Sequence, residues 1–128
     1  TEFVEPVMNF FNTLFLNKSV DDGEITPVIT SIIEALANAI VHGNESDLTK
    51  KVELIVRVEK NKLSIEVYDQ GKGFDINELP DPLAKENLYK PCGRGIFLIK
   101  SFMDEVDFSF TENGSKIFME KNFSDEIE

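Results

Sequence analysis

The sequence predicts an α/β fold: a two-layer sandwich with helices on one face of a mixed, mostly antiparallel sheet. Three observations carry that prediction. Apolar residues recur at helical spacing through Pro27 to Asn44, and again from Ile96 to Met103. Two pairs of segments, Lys51 to Tyr68 and Val106 to Lys121, alternate apolar and polar residues with period two. The 128 residues suffice for one compact domain with a real core and not for two.

In chain order, Thr1 to Leu16 carries Val4, Val7, Met8, Phe11, Leu14 and Phe15 at helical spacing, with Pro6 tolerable in the first turn. This reads as an amphipathic helix whose Phe10 and Phe11 are core residues, a partner-binding stripe being the alternative. Asn17 to Gly23 is a polar connection. Thr26 can cap the next helix, Pro27 suits its first turn, and Gly43 with Asn44 supplies a left-handed stop. Val28, Ile29, Ile32, Ile33, Leu36, Ala37, Ile40 and Val41 mark most of that helix as buried. Glu34, Asn38 and His42 interrupt the pattern. Positions four apart drift by only about 40° around a helix, so these three polar groups form one ridge. The ridge is either a polar seam at the edge of the core or three functional groups facing one place.

Glu45 to Lys51 is a charged loop. Val52, Leu54, Val56 and Val58 then alternate with polar residues, Ile55 excepted, and Leu63, Ile65 and Val67 do the same after a turn at Lys60 to Lys62, so an antiparallel hairpin follows. Its second strand runs into Asp69-Gln70-Gly71-Lys72-Gly73, a turn or a place where a ligand ring approaches bare backbone beside a carboxylate. Residues 74–92, with Pro80, Pro82 and Pro91, lack periodicity and read as a lid over a site, a passive loop being the alternative. Gly93-Arg94-Gly95 opens the helix Ile96 to Met103, where bare N–H groups at a helix start suit a phosphate. Val106, Phe108 and Phe110 lead through Asn113-Gly114 into a last strand, forming a second hairpin. The acidic tail, Ser124 to Glu128, is expected to be disordered.

Composition narrows the function classes. The chain has 13 basic and 24 acidic residues, a net charge of −11, which opposes unspecific binding to nucleic acid or to an anionic membrane. Protein partners are expected instead. No apolar run approaches the ~20 residues that span a bilayer, and no basic-then-apolar leader opens the sequence, so a cytoplasmic location is expected. Cys92 is the single cysteine and His42 the single histidine, which excludes an internal disulfide and, on ligand count, a zinc or haem site.

The motifs together resemble a known family. EALANAIVHGN resembles the N box, VYDQGKGFD the first glycine box and GRGIFLIKSFMDEV the second glycine box of the ATP-binding fold shared by gyrase, Hsp90, histidine kinases and MutL (the GHKL ATPases). LPDPLAKENLYKPCGRGIFLIKSFMDEVDF is especially similar to the bacterial anti-sigma-factor serine/threonine kinases. The resemblance covers roughly residues 25–121. It implies ATP and Mg²⁺ as cofactors, with Asn38 on the metal and Glu34 orienting or deprotonating the attacking hydroxyl. It also implies Asp69 accepting the adenine amino group, Gly71 and Gly73 giving the base room, and Gly93, Arg94 and Gly95 at the phosphates under the lid. His42 would lie near the ribose or phosphates. The family usually has Gly-Thr entering the last strand; Gly114-Ser115 keeps the hydroxyl that helps hold adenine. The family's usual first strand is not convincingly supplied by Thr1 to Glu5, which bears on any homodimer built around that sheet edge.

The function so implied is a protein serine kinase that phosphorylates an anti-anti-sigma (STAS-type) protein and binds a sigma factor. The alternative is a nucleotide-dependent or nucleotide-free protein-binding module of the same fold without phosphoryl transfer; the intact Glu34 argues against it. A histidine-kinase catalytic domain would need a phosphoacceptor helix, and a gyrase-like or MutL-like clamp a transducer domain.

Overall fold

The computed structural model describes residues 3–16, 18, 20–44, 46–47, 49–71, 91–111 and 114–127, with backbone alone for 42, 43, 91–94, 110 and 111. The period-two segments form strands β1 (Glu53–Glu59), β2 (Lys62–Asp69), β3 (Glu105–Thr111) and β4 (Gly114–Asn122). They make one sheet in the order β1-β2-β4-β3. Every neighbouring pair is antiparallel, so the described sheet has none of the parallel pairing that a mixed sheet implies. The helices are α1 (Val4–Leu14), α2 (Asp22–Asn38) and α3 (Pro91–Phe102).

Alternation sets the two faces of the sheet. Leu63, Ile65 and Val67 of β2 and Ile117 and Met119 of β4 point toward the helices, where they join Phe11, Val28, Ile32, Ala35, Leu36 and Ile99 in one core. Burying each such large side chain contributes about 2 kcal/mol. The other face carries Glu66, Tyr68, Lys116 and Phe118. There the Tyr68 hydroxyl donates to Glu66 at 2.6 Å, Arg57 pairs with Glu66 at 2.7 Å, and the Lys116 ammonium lies 5.8 Å from the centre of the Tyr68 ring.

Several local expectations are corrected. α2 starts at Asp22, not Pro27: Asp21 is the cap, its carboxylate accepting from the Gly23 N–H at 3.3 Å. Pro27 sits in the second turn, where its missing N–H leaves only the carbonyl of exposed Gly23 without a helical donor, a place where water can serve. No left-handed stop ends the helix. Ala39–Gly43 winds as a π turn, closed by Asn44 N–H donating to the Ala39 carbonyl at 2.8 Å, and Asn44 keeps an ordinary right-handed φ of −84°. Such single π turns gather at functional positions. α3 begins at Pro91 rather than Ile96. Phe10 and Val41 are about half exposed, at 50% and 49%, rather than buried, Phe10 lying edge-on against Phe11.

The tail is ordered through 127. Phe123 and Ile127 are buried, and their N–H groups donate to the carbonyls of Asn61 and Lys60 at 2.8 Å each. Ser124 donates through both N–H and hydroxyl to the Glu24 carboxylate, at 3.2 and 2.6 Å. An acidic stretch thus closes the bottom of the sandwich because two apolar residues, four apart, reach the core.

With its π turn included, Asp22–Val41 is long and apolar enough to cross a membrane by length and composition, contrary to the expectation that no such run exists. Its buried residues are spent on the sheet and on α3, as in a core helix.

Candidate active site

Glu34 and Asn38 stand one helical turn apart on α2, on the side where α3 crosses. Gly95 makes that crossing close. A Cβ on Gly95 would lie 2.8 Å from Glu34 Oε2 and 3.2 Å from Asn38 Nδ2, so the missing side chain is what lets α3 rest on this pair. Asn38 is 5% exposed, and its Nδ2 has no hydrogen-bond partner among the described residues. An unsatisfied buried amide costs about 1–3 kcal/mol, a cost that a ligand or water at this place offsets.

That carboxamide fits a hard cation bound together with phosphates. Mg²⁺ takes oxygen ligands, keeps several waters and commonly draws only one or two ligands from protein. A half-turn about the last side-chain bond of Asn38 presents its oxygen in place of nitrogen. Among the described residues no group of three or more His, Cys, Asp or Glu could hold a metal ion.

The strand register builds the second half of the site. Asp69, the last residue of β2, lies opposite Ser115 of β4. The Ser115 hydroxyl donates to Asp69 Oδ2 at 2.6 Å and the Gly71 N–H donates to Oδ1 at 2.9 Å. Both oxygens of a carboxylate only 8% exposed are thereby aimed, with lone pairs left for a ligand amine. Gly114 permits the junction, since a Cβ there would collide with the Asp69 carbonyl oxygen.

Asn44 ties the two halves together, a role its sequence position as a helix stop did not suggest. It is 2% exposed. Its Oδ1 accepts from the Gln70 N–H at 2.8 Å, and its Nδ2 donates to the Lys51 carbonyl at 3.1 Å. Gln70 Oε1 in turn accepts from the Lys51 N–H at 2.9 Å. The end of the π turn, the entry to β1 and the loop after Asp69 therefore move as one piece.

The structure thus brings Glu34, Asn38 and Gly95 together, and separately Asp69, Gly71 and Ser115. Gly93 and Arg94 fall third and fourth in α3, and His42 lies in the π turn; the side chains of Arg94 and His42 are outside the described residues, as are Gly73 and the lid up to residue 90. A hollow of about 490 Å³ opens beside Ile55, Tyr68 and Lys51. It includes Asp69 but neither Glu34 nor Asn38, and Ile55 and Tyr68 belong to the sheet face away from the helices, so it is not the site described here.

The fold is that of the catalytic domains of histidine kinases. Solved structures with this architecture include the blue-light activated histidine kinase of Erythrobacter litoralis EL346, with a TM-score of 0.64 at 15% identity over 96% of this chain and 41% of that one. Another is the catalytic domain of histidine kinase ThkA, with a TM-score of 0.60 at 14% identity over 94% of this chain and 90% of that one. The sequence matches the histidine kinase-like ATPase domain over residues 1–121, and the chain belongs to that family. Within it, the chain is 34% identical over 105 residues to the anti-sigma F factors of Clostridium perfringens (strain ATCC 13124) and Bacillus subtilis (strain 168), spanning 79% of this chain and 74% and 71% of those proteins. The anti-sigma F factor of Oceanobacillus iheyensis is 33% identical over the same length. The fold and the family read from the three motifs are both borne out.

Proposed function

We propose that this chain is a cytoplasmic anti-sigma factor that binds a sigma factor and uses Mg·ATP to phosphorylate a seryl or threonyl hydroxyl of an anti-anti-sigma, STAS-type protein. The observation that carries the reading is the buried Asn38, whose Nδ2 has no hydrogen-bond partner among the described residues, one turn from the Glu34 carboxylate, in a chain one-third identical to anti-sigma F factors.

Each residue has a task in that reaction. Asp69, held by Ser115 and Gly71, accepts the amino group of adenine, and Gly114 keeps that corner free of side chain. Asn38 holds Mg²⁺, which when bound spreads the charge of the phosphate oxygens. Glu34 accepts the proton of the attacking hydroxyl while that oxygen bonds the γ-phosphorus and the bond to the ADP oxygen breaks. Gly93 and Arg94 lie at the described start of α3, where the helix dipole favours phosphate. The family resemblance assigns His42 a role near the ribose or phosphates. The net charge of −11 supports protein partners in preference to nucleic acid or membrane.

The test pairs two variants with a mass measurement. The chain is incubated with Mg·ATP and the STAS-type proteins of its own organism, and each is followed by intact mass. Wild type adds one phosphate to one of them. Glu34→Ala binds Mg·ATP normally but transfers at least ~100-fold more slowly, and Asn38→Ala loses Mg-dependent binding. Equal loss of binding in both variants would refute the separate roles. Binding without any mass gain would favour a module that uses nucleotide only to set partner affinity.

A further inference from the structure

We propose that Gly95 is a positioning residue for phosphoryl transfer: the space it leaves empty seats the Glu34 carboxylate and so aims the base. The inference rests on Glu34 being the base of the proposed kinase reaction. Its starting point is a change in what Gly95 can do. As the fifth residue of α3, its N–H is directed by helix geometry to the Pro91 carbonyl, so this donor is engaged within the helix and not free for a phosphate. What remains of Gly95 is its lack of bulk, and it is buried where that matters.

The neighbours decide the consequence. A methyl group at 95 would stand 2.8 Å from Glu34 Oε2, inside contact distance, and 3.2 and 3.7 Å from Asn38 Nδ2 and Oδ1. Glu34 is the longer side chain and only half-buried, whereas Asn38 is short and 5% exposed, so the methyl displaces the Glu34 carboxylate first. A base must sit within hydrogen-bond reach of the proton it takes, about 3 Å, and a shift of an ångström is felt as a rate. Asn38 Nδ2 has to give by only a few tenths of an ångström, and Asp69 is not among the atoms nearest the methyl, so the metal and adenine contacts proposed for these two residues are kept. Alanine is also the better helix former, so α3 gains rather than loses intrinsic stability.

Gly95→Ala in the whole chain therefore separates transfer from binding. In the nucleotide-free protein, NMR is expected to show the Glu34 carboxyl carbon resonance moved, with the backbone amides of the sheet unshifted. Calorimetry is expected to show Mg·ATP affinity within about threefold of wild type, while single-turnover release of the γ-phosphate to water, the acceptor used as probe, falls at least ~10-fold. Glu34→Asp, which withdraws the carboxylate by one methylene, should then cost less in the Gly95→Ala background than in wild type, a coupling that a merely structural role would not produce. An unmoved Glu34 resonance, or lost affinity with turnover retained, overturns the inference. A wild type that binds Mg·ATP yet never releases or transfers phosphate overturns the kinase reading instead, and the NMR comparison still decides the placement of Glu34.

Discussion

At the tip of β2 both oxygens of Asp69 accept hydrogen bonds, from Ser115 and from Gly71, and the neighbouring Asn44 satisfies both ends of its carboxamide. On α2, Asn38 is as buried as these groups, yet its Nδ2 has no partner among the described residues. The first region is a finished hydrogen-bond network that holds a shape in the absence of ligand. The second is an unfinished one that a ligand would complete. A base-binding corner gains from rigidity, because a flat ring must meet donors already in place. A metal and phosphate subsite instead keeps polar groups uncommitted at a cost in stability, the trade commonly seen where function and folding compete.

This contrast makes substitutions at the two ends diverge. The largest loss of stability is expected for Gly114→Ala, whose methyl must enter the Asp69 carbonyl; denaturant unfolding should show about 3 kcal/mol lost, together with adenine binding. Asn44→Ala strands the Gln70 N–H and the Lys51 carbonyl and should cost about 2 kcal/mol by the same measurement. On the outer sheet face, Arg57→Ala should cost at most about 1 kcal/mol. The Tyr68 hydroxyl, with Arg57 second, holds the Glu66 carboxyl below its ordinary value. The contribution of that cluster is therefore fully present above the usual Glu range and is lost as pH falls through the lowered value of the folded state. Urea midpoints compared at neutral and acid pH should show the difference between Arg57→Ala and wild type shrinking on acidification. The smallest effect on stability is expected at the functional end: Asn38→Ala should leave the unfolding free energy within about 1 kcal/mol. A loss at Asn38 as large as that at Asn44 would erase the contrast.

The legible parts of the molecule were those set by local period. Alternation fixed which face of β1 and β2 is buried, and hence that Asp69 ends a strand. Spacing by four put Glu34 and Asn38 on one side of α2. What could not be read depends on partners distant in sequence. Asn44 gets its role from Lys51 and from Gln70, 26 residues away, so its place after a glycine suggested only a helix end. That Gly95 meets Glu34 and Asn38 could not be read, because nothing in the sequence shows which helix it touches. The tail looked disordered from its charge, although Ile127 reaches the core. Pro27 misplaced the start of α2 because proline is usually a first-turn residue, and the cost of placing it one turn later falls on a water-exposed carbonyl.

The most direct test of one nucleotide site with two differently built ends is calorimetric titration with ATP, ADP and adenosine, with and without Mg²⁺, on wild type and Asn38→Ala. Wild type should bind ATP at micromolar level with Mg²⁺ and much more weakly without it. Asn38→Ala should lose that magnesium dependence while keeping the affinity of wild type for adenosine. ATP binding that ignores both magnesium and Asn38, or adenosine binding that disappears along with it, would contradict the account.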